Sequence, residues 1–503
     1  MRPRTHTPLR QIPGLALVAS LAACASVTAG ETPRANPDGL AQLPGHALVP
    51  RNAPQEKATA GKAAAPQGQA SAAKPAPAPD AAAKSSRGQS PPLLPGLSGW
   101  SRTRYRWRSV DGDDDHDLYE VLGLDYVEPS KQRLEAHFLG RAAWDVDGDS
   151  GSQLSSINDI SSGDVDADVY TAYVQQAFEP ADGTRWSVRV GRTEKVLTPE
   201  IAHYDGLALD AKLERAKGLE FGAYGGRNVV FDSANGDDGD VVGFHLGARP
   251  WKGGRARLDW MHLEDEALLG DDQDDLFGVG LWQAIETWST SAQYTRVEGR
   301  DRDVELRARW NEQGGRTSLA LRYFELLEAQ NQRALFLDPY LQTLQTYYPY
   351  RQFGANVWRA LTQKLDADVG FDVREVDDSS DVGTFNHDWR RYYGALTLHE
   401  LFGKPYTARF EADNYDDDHS DVVAYGGSLT REIGETLDAT VGTYYSRYKY
   451  DLFTGAEKDD VQTYYAKVVW RQSKTWSFDV LYEYEDDDLD EYHTLRCGAL
   501  CRF

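Results

Sequence analysis

Residues Asp490–Phe503 read DEYHTLRCGALCRF, and this stretch decides the fold. Counting back from Phe503 in steps of two gives a row of apolar or small residues, whereas the intervening row is mostly polar. A period of two is typical of a β-strand with one apolar and one hydrated face. Taken alone, the stretch fits either a strand of a closed barrel or the edge strand of a soluble β-sandwich. The apolar row is Phe503, Cys501, Ala499, Cys497 and Leu495, and the other row is Arg502, Leu500, Gly498, Arg496 and Thr494.

The same alternation recurs from residue 99 to residue 503. Trp186, Val188 and Val190, for example, alternate with Arg185, Ser187 and Arg189. Short turns and longer acidic loops, such as the predicted loop Glu264–Asp275, separate these segments in turn. A soluble sheet would not place a charged row behind each apolar row over about 400 residues. The sequence therefore predicts an all-β fold, a single-chain antiparallel transmembrane β-barrel of about 22 strands, with 18 to 22 acceptable.

Two resemblances refine this prediction. The aromatic residue Phe503 at the end of an alternating strand resembles the closing strand of Gram-negative outer-membrane β-barrels. This implies outer-membrane lipid and lipopolysaccharide as surroundings, and contact with the β-barrel assembly machinery through that strand. Val190-Gly191-Arg192, followed by Tyr204-Asp205-Gly206-Leu207-Ala208-Leu209, resembles the strand-loop-strand signature of alginate-export-type barrels and related porins. That resemblance implies a channel that passes an anionic polysaccharide through an arginine-lined pore.

Composition excludes several other classes. The formal net charge of -25 argues against a nucleic-acid-binding protein. Three cysteines in 503 residues exclude a disulfide scaffold. The mean hydropathy of -0.59 argues against a helical membrane protein. The one long apolar run, Ile12–Ala25, is too short to cross a bilayer as a helix.

The amino-terminal part reads as two segments before the barrel. Residues 1–29 have a basic start and an apolar centre, which is typical of an export signal. Leu21-Ala22-Ala23-Cys24 resembles a lipobox, which would make Cys24 a lipidation site; ordinary cleavage after Ala25 or Ala29 is the alternative. Residues 30–95 are rich in Ala and Pro, which predicts a disordered periplasmic linker rather than a plug domain. Such a linker could dock a periplasmic export partner.

Arginine is abundant at the positions predicted to face the lumen. One interpretation is a series of guanidinium groups that bind anions transiently. The other is a hydrated wall in which opposite charges pair across strands. The residues concerned, called the arginine ladder below, are Arg102, Arg104, Arg106, Arg108, Arg189, Arg255, Arg257, Arg307 and Arg309.

Two loops are candidates for narrowing the pore. The segment Thr193–Tyr204 lacks the acidity of the other long loops. The segment Leu326–Tyr350 is the most apolar of them, with Leu335, Phe336, Leu337 and Tyr340 as its candidate constriction residues. Apolar content of this kind favours burial. Inward folding as a constriction, a surface cap and a partner contact all satisfy that requirement.

The sequence predicts neither a cofactor nor a metal site nor an enzyme. The segment beginning at Asp145 has a calcium-loop start but carries Ser150 and Ser156 where glycine and glutamate are needed. No nucleophile is placed beside a base. The expected function is an outer-membrane channel that passes an anionic or sugar-based solute and exports a polysaccharide. The alternative is a non-conducting assembly or anchoring barrel, or a sleeve for a surface polymer or periplasmic partner.

Overall fold

The structure is a computed structural model that describes the barrel part of the chain. The described ranges are 94–110, 113–130, 133–146, 165–180, 184–196, 201–229, 239–267, 270–329, 348–378, 387–417, 421–451, 456–487 and 491–503. The expected export signal, Cys24 and the linker up to residue 93 lie outside these ranges, as do Leu335, Phe336, Leu337 and Tyr340.

Twenty-two strands account for nearly all of the described residues, as the alternating pattern predicts. A short 3-10 turn, Leu401–Gly403, connects β16 to β17. The strands are β1 Leu97–Val110, β2 Asp113–Val127, β3 Leu134–Asp145, β4 Val165–Phe178, β5 Thr184–Val196, β6 Ile201–Leu213, β7 Leu219–Asn228, β8 Asp240–Ala248, β9 Gly254–Ala267, β10 Gly270–Ile285, β11 Trp288–Val297, β12 Arg300–Asn311, β13 Thr317–Leu326, β14 Tyr350–Ala360, β15 Leu365–Val376, β16 Trp389–Leu398, β17 Tyr406–Asp417, β18 Asp421–Ile433, β19 Leu437–Asp451, β20 Ala456–Trp470, β21 Trp476–Asp486 and β22 Glu491–Arg502.

The sheet closes on itself. Each strand pairs antiparallel with its neighbours in sequence, and β1 also pairs antiparallel with β22, from Trp100 opposite Arg502 to Val110 opposite Tyr492. At the end of this seam the Gly99 amide donates to the Phe503 carbonyl at 2.8 Å, and the Phe503 amide donates back at 2.9 Å. Closure leaves no unpaired sheet edge, which is the condition for a β-sheet to cross a bilayer.

The outer face of the barrel is apolar and exposed. Val441 on β19 and Phe410 on β17 each keep 57% of their surface accessible, and Val190 keeps 55%. The residues that alternate with them face inward and are polar or charged, such as Arg409 beside Phe410 and Arg189 beside Val190. An apolar exterior around a polar interior is the reverse of a soluble sandwich. The protein is therefore a transmembrane β-barrel of the Gram-negative outer membrane, and the soluble-sandwich alternative is wrong.

Two loop predictions need correction. The segment Thr193–Tyr204 is mostly strand, because β5 continues to Val196 and β6 begins at Ile201. It is therefore not a long loop. The predicted loop Glu264–Asp275 is likewise mostly strand, since β9 runs to Ala267 and β10 begins at Gly270. The acidic residues there belong to strand ends that extend beyond the apolar band of the outer face, and not to a loop. Among the described residues, no helix is long and apolar enough to cross a membrane.

Gly191, within the Val190-Gly191-Arg192 signature, has a conformation that requires glycine. Its φ is +124°. A Cβ at this position would also collide with the carbonyl oxygen of Ala172 on β4. The signature is thus a point where two backbones approach closely. On the outer face next to it, Arg192 donates two hydrogen bonds to Asp205 of β6, at 2.8 and 2.7 Å.

Candidate pore-lining site

The strand register places the whole arginine ladder on the inner face of the barrel. Cross-strand partners share a face, so each residue can be traced from one strand to the next. Arg102, for example, lies opposite Leu500 and Val121, and Arg106 opposite Arg496 and Asp117. The inner face therefore presents guanidinium groups from β1, β5, β9 and β12.

On β1, Arg106 and Arg108 are held by recessed carboxylates. The Nε atom of Arg106 donates to Asp117 Oδ2 at 2.7 Å, and Arg108 Nε donates to Asp115 Oδ2 at 2.8 Å. Asp117 is fully buried. Because these charges compensate each other within the wall, Arg106 and Arg108 fit the interpretation of paired wall charges better than that of free anion contacts.

On β5 and β9 the arginines also have local partners. Arg257 Nε donates to the fully buried Asp259 at 2.8 Å, and Arg255 Nη2 lies 3.1 Å from Glu220 Oε2. Arg189 differs, because its partners are neutral: Gln175 Oε1 at 2.9 Å and the ring of Tyr173, whose centroid is 4.5 Å from the guanidinium carbon. The charge of Arg189 is thus held in place without an acid in direct contact.

A further group of inward arginines lies on β12 and β13. Arg307 and Arg322 are register partners, and both donate to Glu305 Oε1, at 2.8 and 3.1 Å respectively. Arg309, two residues along β12, is exposed and has no acidic partner among the described residues. Like charges directly opposite each other destabilise a sheet unless something compensates them. A single carboxylate here serves two guanidinium groups.

A recess of about 470 Å³ opens over this part of the wall. Trp282 of β10 lies on one side and Tyr393 of β16 on the other, with Arg307, Arg309 and Arg322 between them. Small residues form its floor, namely Ser289, Ser291, Ala320 and Gly354. Three arginines against the carboxylates of Glu305 and Asp372 leave one net positive charge, so the recess can accept an anion between two aromatic side chains.

Part of the inner wall is apolar. Tyr204, Met261, Leu263 and Leu276 lie at inward positions on β6, β9 and β10 and are no more than 5% exposed. A second group, Phe324, Leu326 and Tyr350, lies beside Val376 at the ends of β13 and β14 that adjoin the Leu326–Tyr350 connection. An apolar, buried surface at inward positions is unexpected in a wall that is otherwise hydrated.

Trp282 and Tyr393 could not be identified from the sequence. An inward-facing aromatic residue indicates a binding site only when its neighbours across the sheet are known.

Cys497 is a free thiol on the outer face opposite Tyr105, as expected of a lipid-facing side chain. Within the described ranges, no group of three or more His, Cys, Asp or Glu residues could hold a metal ion.

Comparisons with known proteins find likenesses among solved structures only. No family model and no curated protein matches the sequence. Among solved structures, the P pilus usher PapC translocation pore is similar at 10% identity and a TM-score of 0.47, covering 81% of this chain and 99% of that one. A BenF-like porin from Pseudomonas fluorescens Pf-5 is similar at 12% identity and 0.43, covering 81% and 98%. OpdK from Pseudomonas aeruginosa is similar at 10% identity and 0.40, covering 82% and 100%.

With TM-scores below 0.5, none of these likenesses indicates what the protein does. What the protein is follows from its own closed wall, apolar outside and charged inside. It is an outer-membrane β-barrel.

Proposed function

We propose that this outer-membrane β-barrel is a channel that passes an acidic sugar or a polymer of acidic sugars. The observation that carries the proposal is the cationic recess between Trp282 and Tyr393. Guanidinium groups bind carboxylates through paired hydrogen bonds, and aromatic faces offer the apolar surface against which a sugar ring packs. An acidic sugar is the solute class that uses both features at once.

Within the recess the arginines have different roles. Arg309 has no acidic partner among the described residues, so it is the first candidate to bind a solute carboxylate. Arg307 keeps 48% of its side chain exposed while sharing Glu305 with Arg322, so it is available as a second contact. Contacts that are numerous and individually weak let a solute both enter and leave. Arg106, Arg108 and Arg257 would instead maintain the wall.

The apolar part of the inner wall supports a constriction by the Leu326–Tyr350 connection. Leu335, Phe336, Leu337 and Tyr340 would pack against the inward surface around Phe324 and Tyr350, which adjoins both ends of that connection. Burial of apolar side chains would favour this arrangement over a surface cap. The same surface is also consistent with the non-conducting anchoring alternative, because a lumen filled by this connection need not conduct ions.

Single-channel conductance of the refolded full-length protein in a planar bilayer under a salt gradient tests the proposal. An anion-selective reversal potential, with block by oligoglucuronate and no block by a neutral glucose oligomer of equal length, supports it. A cation-selective current, or equal block by both oligomers, refutes it.

A silent barrel is resolved by deleting residues 330–347. Current that appears after this deletion identifies the connection as the constriction. A barrel silent even then supports the non-conducting alternative, in which the protein anchors a surface polymer or surrounds a periplasmic partner.

A further inference from the structure

Glu120 is a carboxylate on the outer face of the barrel, at the middle of a membrane-spanning strand. It lies seven residues from each end of β2, which runs from Asp113 to Val127. Its cross-strand partners are Thr103 of β1 and Ala142 of β3. Thr103 is on the outer face because it alternates along β1 with the inward arginines, as Tyr105 and Trp107 do. Trp107 stacks on His493, which lies beside the outward-facing Tyr482.

The position is unusual within the described part of the barrel. Other outward charged residues lie nearer a strand end, as Arg351 does at the second position of β14 and Glu325 at the ninth of the ten positions of β13. Arg192 and Asp205 lie closer to the middle but neutralise each other. A charged or ionisable group in the hydrocarbon layer is costly and marks a functional position unless a partner satisfies it.

Glu120 is only partly satisfied by its own chain. The hydroxyl of Thr103 donates to one carboxylate oxygen at 2.5 Å, and the hydroxyl of Ser101 donates to the other. Each carboxylate oxygen can accept two hydrogen bonds, so each can accept one more besides the bond from its hydroxyl partner. No basic side chain is paired with Glu120 in the described structure, so its charge has no counter-ion there.

A row of small side chains crosses the outer face at the level of Glu120. The register runs continuously from Ala499 to Thr103, Glu120, Ala142 and Ala167 across β22, β1, β2, β3 and β4. All members of this row except Glu120 are small. With strands about 4.8 Å apart, the row is roughly 19 Å wide. Small side chains let membrane-embedded surfaces approach closely, which is how such surfaces associate without a hydrophobic driving force.

We propose that this row is the contact surface of a two-fold dimer of the protein, with the two Glu120 carboxyl groups meeting at its centre. A two-fold axis along the membrane normal brings residues of equal depth together, so Glu120 near the axis faces Glu120 of the second copy. One proton shared between two carboxyl groups gives each a hydrogen-bond partner in place of lipid. The row is self-complementary, which favours a second copy over a different protein.

Sedimentation equilibrium of the full-length protein in density-matched detergent micelles tests this proposal. The wild-type protein is expected to dimerise. E120L removes the carboxyl group and should raise the dimer dissociation constant by roughly tenfold, a typical effect of a polar contact within a membrane. E120Q keeps a group that both donates and accepts, and should stay within a few-fold of the wild type.

Two further variants keep the outcome interpretable. A142F places a bulky side chain beside Glu120 without altering any polar group and should also give a monomer. V441A, on the outward face of β19, should leave the dimer unchanged. Heat-modifiable mobility on a semi-native gel establishes that each variant is a folded barrel. A wild-type protein that is monomeric throughout, or an E120L protein that dimerises like the wild type, would overturn the proposal.

Discussion

Arg307 of β12 and Arg322 of β13 lie directly opposite each other on the inner face, and both donate to the same oxygen of Glu305. Glu305 is 6% exposed, so its charge is largely withdrawn from the lumen while the side chain of Arg307 stays 48% exposed. The pair therefore presents positive charge to the lumen and keeps the compensating negative charge in the wall.

Removing that compensation should change selectivity and stability in opposite directions. In E305Q the two guanidinium groups keep a hydrogen-bond acceptor but lose the negative charge that compensates their positive charges. We expect stronger anion selectivity and a loss of about 1–3 kcal/mol in the free energy of unfolding. Reversal potentials and urea unfolding in lipid vesicles measure the two effects. An unchanged reversal potential would mean that these arginines do not contribute to the field in the lumen.

Arg309 should contribute to solute binding more than any paired arginine. Replacing it by glutamine removes a guanidinium that has no acidic partner among the described residues, so little wall structure is lost with it. We expect the oligoglucuronate concentration that halves the current to rise roughly tenfold, the loss of one charged hydrogen-bonding group. R471Q is the matched control, because Arg471, in the turn after β20, is paired with Asp438 at 2.7 Å. Equal effects of the two variants would contradict the assignment of the recess.

The buried acids of the wall should matter for folding rather than for transport. D117N removes the nearer of the two carboxylates beside Arg106, in a site where the aspartate is fully buried. The expected loss is about 3–5 kcal/mol in the free energy of unfolding. The pair of Lys212, near the end of β6, and the exposed Glu214 in the following turn gives the control, and E214Q should leave the urea midpoint unchanged. A D117N protein as stable as the wild type would show that the charge of Asp117 does not contribute to the stability of the barrel.

Gly191 should not tolerate a side chain. Its φ of +124° and the collision of a Cβ with Ala172 predict that G191A weakens the pairing of β4 with β5. The expected loss is about 1–3 kcal/mol. At Gly314, in the turn between β12 and β13, no atom lies within 4 Å of the place that a Cβ would take, so G314A is the control. Comparison of the two unfolding midpoints decides the matter, and equal midpoints would refute the strain at Gly191.

The strands could be predicted from the sequence because lipid and water impose opposite chemistry on alternate residues. The row Trp186, Val188 and Val190 already defines which way Arg189 points, and the structure has the predicted number of strands. The loop prediction for Thr193–Tyr204 was wrong because Lys195 and Tyr204 continue the inward rows of β5 and β6, where Lys195 pairs with Asp210 at 2.9 Å. Local composition does not reveal such a pair.

The candidate site could be predicted from the sequence less completely than the strands. Which arginine has an acid beside it depends on the register between strands, and the alternation within one strand does not define that register. Arg106 and Arg309 look alike in sequence, yet the first binds Asp117 and the second has no such partner in the described structure. Glu120 did carry a signal, an acid in the apolar row of Leu118, Leu122 and Leu124. Its meaning depends on the hydroxyl groups of β1.

The seam between Gly99 and Phe503 also has a consequence for the order of assembly. These residues are 404 positions apart (503 minus 99), yet they exchange two backbone hydrogen bonds. All the other strand pairings join strands that are adjacent in sequence, so hairpins can form early and locally. Until β1 meets β22, the growing sheet keeps two open edges that can pair with any other strand. We therefore expect the seam to form last, and the chain to be most prone to aggregation just before it does.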